Sequence, residues 1–165
     1  MKFLESSYNC VFSKCRRYRY VWRHVWDNSL PRCAFIGLNP STADEEGPDP
    51  TVRRSINYAK TWGYGALIML NLFGLRATDP KIMLAAKTPI GPRNNQWIWA
   101  EVNDTRTLHG GIVIAAWGNH GAHLQRSAEV RRVLSGRLYC LSLTKSGEPA
   151  HPLYLKGDLK PMRWR

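Results

Sequence analysis

No stretch of the 165-residue sequence approaches the run of about 20 apolar residues that a membrane-spanning helix requires. The opening residues, MKFLESSYNCVFSKC, lack the long apolar centre of a secretory signal, so a soluble cytoplasmic protein is expected, with no membrane partner. Cysteine is scarce. The four present, Cys10, Cys15, Cys33 and Cys140, form no C-x-x-C pair of the kind that holds zinc. Cys33 and Cys140 lie in apolar, strand-like runs and read as core thiols. Cys10 and Cys15 could contribute to a metal or iron–sulfur site, but no further ligands lie near them in sequence. There is no P-loop and no G-x-G-x-x-G, which argues against nucleotide-driven chemistry. Internal repeats, low-complexity tracts and linkers are also absent.

Acidic residues are few as well. Twelve Asp and Glu stand against twenty-four Lys and Arg, a formal charge of +12. Such an excess suits a polyanionic partner, nucleic acid first, because Lys and Arg on phosphates release condensed counterions. The arginines cluster at 16, 17, 19 and 23, at 53 and 54, and at 126, 131 and 132. The tail KGDLKPMRWR adds further cations. With 44% hydrophobic residues the chain can bury a core, and its length is that of one domain, residues 1–165.

Residues 18–26, YRYVWRHVW, alternate apolar with basic and predict a half-exposed strand within an N-terminal strand or hairpin segment, 1–32. Residues 33–38 form the next strand. Asp49-Pro50 predicts a helix start that runs to about Trp62, closed by Gly63 and Gly65. The apolar runs 66–73, 111–118 and 138–143 predict strands. Helices are expected over 93–108, where Ile98, Val102, Thr105 and Leu108 share a face, and over 123–134. This alternation predicts an α/β fold with a mainly parallel sheet.

In such sheets ligands bind beyond the carboxyl ends of the strands. Those ends read Gly37-Leu38-Asn39-Pro40-Ser41, Asn71-Leu72-Phe73, Trp117-Gly118-Asn119-His120, and Thr144-Lys145-Ser146-Gly147 leading to His151-Pro152-Leu153. Each sets an amide, hydroxyl or imidazole in or near a turn. The set, spanning residues 33–155, resembles the uracil-DNA glycosylase superfamily, which has a G-x-N-P or G-x-D-P turn, a strand-ending Asn, a W-G turn and a late His-Pro loop. The string GLNPSTAD…DPTVRR…NLF…HPLYL is also similar to an uncharacterised domain family of bacteria and phages. The loop His-Pro-Leu-Tyr departs from the superfamily, which usually has a small polar residue after His-Pro.

The resemblance implies a three-layer αβα sandwich with a central, mainly parallel sheet of four to five strands. It implies a monomeric DNA glycosylase in the cytoplasm of a bacterial or phage-infected cell, hydrolysing the bond to a modified or deaminated base without a cofactor. Asn39 would orient water against the sugar carbon, and His151 would donate to the departing base. Asp in place of Asn39 would serve the water as well. Asn71, Phe73 and Gly37 would bind the flipped base. Leu153 would fill the gap in the duplex, and Ser41, Arg53, Arg54, Asn119, Lys145 and Ser146 would hold the backbone. No aromatic is assigned to stack on the base; Phe73, Trp62 and Tyr64 are candidates. A catalytically silent DNA-binding or inhibitory protein on the same scaffold, and a small nucleoside or nucleotide hydrolase, remain open alternatives.

Overall fold

The apolar runs that predict strands form the centre of one mixed sheet. The computed structural model describes residues 8–165 apart from the side chain of Leu108. The first seven residues of the N-terminal segment lie outside the described residues, as does the side chain at the last apolar position of the 93–108 helix. Strands β1 (Tyr8–Phe12), β2 (Arg19–Val25), β3 (Arg32–Gly37), β4 (Ala66–Asn71), β5 (Ile112–Ala115), β6 (Tyr139–Cys140) and β7 (Met162–Arg163) pair in the order β1-β2-β4-β3-β5-β6-β7. The inner strands β4, β3, β5 and β6 run parallel; β1, β2 and β7 are antiparallel to their neighbours. Among the described residues the sheet thus has seven strands instead of four to five, because the N-terminal hairpin and the C-terminal tail each extend an edge.

Among the described residues four α-helices cover the two faces: α1 (Pro50–Thr61), α2 (Pro80–Ala85), α3 (Asn94–Asn103) and α4 (Arg126–Val133). Successive strand residues point to opposite faces. Cys33, Phe35, Leu67 and Met69 pack with Val52, Ile56 and Ala59 of α1. Ala34, Ile36, Ile68 and Leu70 belong to the second core, with Met83 of α2, Ile98 and Val102 of α3 and Val130 of α4. Burial on both faces is why the inner strands read as unbroken apolar runs.

Helix α1 forms where the Asp-Pro pair predicts it. The Asp49 carboxylate accepts from the Val52 N–H at 2.9 Å, and Gly63 ends the helix at φ 83°. The same device starts α2, where Asp79 accepts from the Lys81 N–H at 2.9 Å. The predicted 93–108 helix is α3 followed by a π-helical turn, Asp104–Leu108.

The predicted 123–134 helix is broken. A 3-10 segment, Asn119–Gln125, departs from helical backbone at His123 and Leu124, and only from Arg126 does regular helix follow. The break brings Arg126 into the core, where its Nε donates to the Leu72 carbonyl at 2.9 Å. Strands also end sooner than the apolar runs: β4 at Asn71, β5 at Ala115 and β6 at Cys140.

The half-exposed strand is instead largely covered. In β2 the basic positions have partners in place of water. Arg19 is buried and donates to the Ala43 carbonyl at 2.6 Å, and burial lowers its pKa to about 10. Arg23 pairs with Glu101 of α3, whose side chain is 8% exposed against 24% for Arg23. Its Nη1 also donates to the Asn9 side chain on β1 at 2.8 Å.

Cys33 and Cys140 are core thiols, as expected, and all four cysteines are free. Among the described residues no cluster of His, Cys, Asp and Glu suits a metal ion. No helix among them is long and apolar enough to cross a membrane.

Removing one side of the Arg23–Glu101 pair strands the other inside the fold. Glu101→Ala is expected to cost about 3 kcal/mol in denaturant unfolding, the lower end for breaking a buried pair. The double variant Arg23→Met, Glu101→Leu should recover most of that loss. A double variant as unstable as the single one would show that the pairing does not set the cost.

Candidate functional site

The exits of β3 and β4 stay joined after the strands end. The Leu72 N–H donates to Gly37 O and the Phe73 N–H to Leu38 O, both at 2.9 Å, and the Ala77 N–H donates to Pro40 O at 2.9 Å. The Asn39 carboxamide completes the join. Its Nδ2 donates to Ala77 O at 2.8 Å and Pro40 O at 3.1 Å, with Leu75 O at 3.4 Å. The amide nitrogen is therefore saturated by carbonyls, which assigns the amide's orientation and leaves Oδ1 as its accessible acceptor.

The second element comes from the far side of β3. After β6 the chain turns through a hairpin in which Thr144 N donates to Glu148 O at 2.8 Å and Ala150 N to Ser142 O at 2.9 Å. Glu148 anchors this hairpin by accepting from Trp117 Nε1 at 2.8 Å and from Ser127 Oγ of α4 at 2.6 Å. Gly118, at φ 71°, turns the chain out of β5 and donates to Pro149 O at 2.7 Å. The Thr144 hydroxyl donates to Asn119 Oδ1 at 2.6 Å.

His151 follows directly and caps a short 3-10 turn, its Nδ1 accepting from the Leu153 N–H at 3.3 Å. An imidazole that accepts at Nδ1 carries its proton on Nε2, so the ring presents an N–H donor. Burial holds the His151 pKa below its ordinary 6.5, opposed by the Asp49 carboxylate.

These elements enclose a cleft of about 750 Å³ at the carboxyl end of the parallel strands, lined by Asn39, His151, Asp49, Ser41, Asn119 and Leu153 among others. Asp49 has two roles. It caps α1 and also accepts from the Ala43 N–H at 3.3 Å, while bordering the cleft. Tyr154, 87% exposed, stands at the rim with its ring 5.6 Å from that of His151. Among the described residues no lysine or arginine lines the cleft.

Other predicted site residues lie elsewhere. Gly37, Asn71 and Phe73 are buried and do not border the cleft. The β4 end that carries Asn71 and Phe73 turns into the core beside α3: Asn94 Nδ2 donates to the Asn71 carbonyl at 2.9 Å, and Phe73 packs on His123. Trp62 stacks on Phe35 and Tyr58, and Tyr64 packs against the α1-side core. Arg54 donates to the Leu155 carbonyl and lies over Tyr58, so it acts as a strut. Arg53 lies on the first turn of α1, exposed and bonded to Pro48 O at 2.6 Å. Lys145 and Ser146 are exposed at the tip of the 144–147 turn.

In α/β domains, polar groups that converge beyond the parallel strands mark the place where a ligand site is sought. Residues 19–153 match the family described as "protein of unknown function (DUF1643)", and the chain belongs to that family. No curated protein and no solved structure matches it.

The carbonyl cage around Asn39 sets a stability cost against the expectation that Asp would serve the water as well there. A carboxylate at 39 would face carbonyl oxygens with no proton to donate. Asn39→Asp is expected to lose about 1–3 kcal/mol at pH 7. The cage raises the folded carboxyl's pKa, so the loss is present above that value and shrinks as pH falls through it. Denaturation of variant and parent across pH reads this; a pH-independent gap would overturn it.

For His151, whose folded pKa is depressed, the support it lends the fold is complete above 6.5 and is withdrawn as pH falls below it. Histidine NMR titration should find the ring neutral at pH 7, with the proton on Nε2. A ring charged at that pH would contradict the assignment.

Proposed function

We propose that the cleft is the base pocket of a DNA glycosylase-like enzyme on a three-layer αβα scaffold of uracil-DNA glycosylase type. The observation that carries this reading is the convergence of Asn39 and His151, from separate strand exits, on one cleft. One offers an acceptor oxygen and the other a neutral N–H donor.

Hydrolysis of an N-glycosidic bond proceeds through a cation-like sugar and a departing anionic base. Asn39 Oδ1 orients a water toward the sugar carbon. The bond to the base breaks with its electron pair leaving on the base, and the water loses its proton to solvent as the new C–O bond forms. The Asp49 carboxylate favours the sugar cation across the cleft. His151 Nε2–H bonds the base oxygen where charge gathers, an interaction that strengthens only in the transition state. Tyr154 offers a face for the flipped base, and Leu153, 40% exposed, offers a wedge for the vacated stack. Ser41 and Asn119 in the cleft, with Arg53, Lys145 and Ser146 outside it, take the backbone.

The catalytically silent alternative draws support from one feature. Asn71, the amide expected to read the base edge, is buried away from the cleft.

On oligonucleotides carrying a panel of modified bases, base release is read as alkali-labile strand breaks. His151→Ala should slow single-turnover release by about 100- to 1000-fold with DNA affinity nearly unchanged. Release by the parent from no member of the panel, or release by His151→Ala at the parent's rate, would reject the enzyme reading.

A further inference from the structure

The +12 charge has no counterpart in the cleft, whose lining includes an aspartate and no lysine or arginine among the described residues. A phosphate chain entering the cleft must be held outside it. The segment Leu75–Pro80 has two sides. Ala77, Thr78 and Pro80 border the cleft, while Leu75 and Arg76 border a shallow groove of about 660 Å³. The other wall of that groove is the turn between β1 and β2, which carries Arg16 and Arg17, and Ile82 and Ala86 lie on its apolar floor.

We infer that this groove is a DNA-backbone track, taking the phosphates of the strand whose base enters the cleft; in that respect it rests on the reading of the cleft given above. The guanidinium carbons of Arg16 and Arg76 lie 3.9 Å and 4.9 Å from the centre of one ring, that of Phe12. Two cations are thereby assembled on a single aromatic platform, against their mutual repulsion.

The backbone holds the assembly. The Arg76 N–H donates to Arg17 O at 2.9 Å, and Arg76 Nη1 donates to Arg16 O at 3.2 Å. Arg16 takes the left-handed φ of 57° that closes the turn. Of the three arginines, Arg16 alone forms a salt bridge among the described residues, to Glu45 at 3.1 Å and well exposed; Arg76 acts on that carboxylate from farther off. Arg17 and Arg76 pair with no acid among the described residues. An exposed bridge is weak and exchanges readily for phosphate. The floor, with Ile82 61% exposed, suits the sugar edges of a strand between its phosphates.

The track also reaches the chemistry by a short path. The Leu75 and Ala77 carbonyls that hold the Asn39 amide belong to the segment between groove and cleft. A strand seated on Arg17 and Arg76 therefore runs beside the residue proposed to orient water.

The test is fluorescence anisotropy with a labelled DNA oligonucleotide, single-stranded and duplex, across a salt series. Variants are Arg17→Gln, Arg76→Gln, their combination, Glu45→Gln, and, as a control, Arg132→Gln at an exposed position of α4. Removing one phosphate-binding arginine should flatten the slope of log K against log salt by about 0.7 on single strands and 0.9 on duplex. The double variant should flatten it by about twice that and bind several-fold more weakly at low salt. Glu45→Gln, which frees Arg16, should bind more tightly than the parent, and Arg132→Gln should match it. A double variant with the parent's slope, or an equal flattening by Arg132→Gln, overturns the track.

Arg17 is exposed and pairs with no acid, so its single variant stays informative if Arg76→Gln folds poorly. Base release, read separately, keeps the two conclusions apart. Weaker binding by the groove variants, without any measurable base release by the parent, rejects the glycosylase and leaves the track.

Discussion

The Asn39 carboxamide holds the carbonyls of Pro40, Leu75 and Ala77, and those bonds make one wall out of two strand exits. Parallel neighbours diverge once their ladder ends, so residues beyond them normally splay apart. Here the ladder is carried on by backbone bonds from Leu72, Phe73 and Ala77, and the amide closes the last gap. The cleft has a fixed side because of it, and so does the groove behind. Nδ2 belongs to the fold, while on the proposed reading Oδ1 is the atom that meets a ligand.

The opposite side of the cleft is held by a different kind of contact. The hairpin bearing His151 is tied down by Glu148, whose carboxylate joins Trp117 just beyond β5 to Ser127 on α4, and by the Gly118 N–H bond to Pro149 O. That same Trp117 also borders the cleft. The imidazole is oriented in turn by its own chain, through the Leu153 N–H. Position and tautomer are thus set by separate bonds, and neither depends on a bound ligand.

Much of this architecture is legible in the residues. Asp49-Pro50 marks the start of α1 because cap and fixed φ are local properties, and the unbroken runs of β3, β4 and β5 announce burial on both faces. Asp79-Pro80 carries the same local signal for α2, a helix not among those expected. What escapes is non-local. Arg19 and Arg23 look like solvent positions until a loop carbonyl and a glutamate from α3 arrive to cover them. The break at Leu124 goes with Arg126 reaching the Leu72 carbonyl, which no spacing discloses. In the site, Asn39 and His151 are readable from turn chemistry. Asn71 and Phe73 are not, because a strand end can turn inward as well as out, and only the packing of Asn94 decides which. Asp49 is visible as a cap; its second role needs the neighbouring strand exits in three dimensions.

The absence of cations along the cleft among the described residues, with Asp49 bordering it, bears on the order in which products depart on the proposed reading. A freed base, neutral or anionic, finds no positive group inside to detain it, and an anion is pushed outward by the carboxylate. The abasic strand remains on arginines outside. The small product would leave first and the polymer last, so turnover would be governed by how slowly the protein lets go of the nucleic acid, and the fragile abasic site would stay covered in the interval.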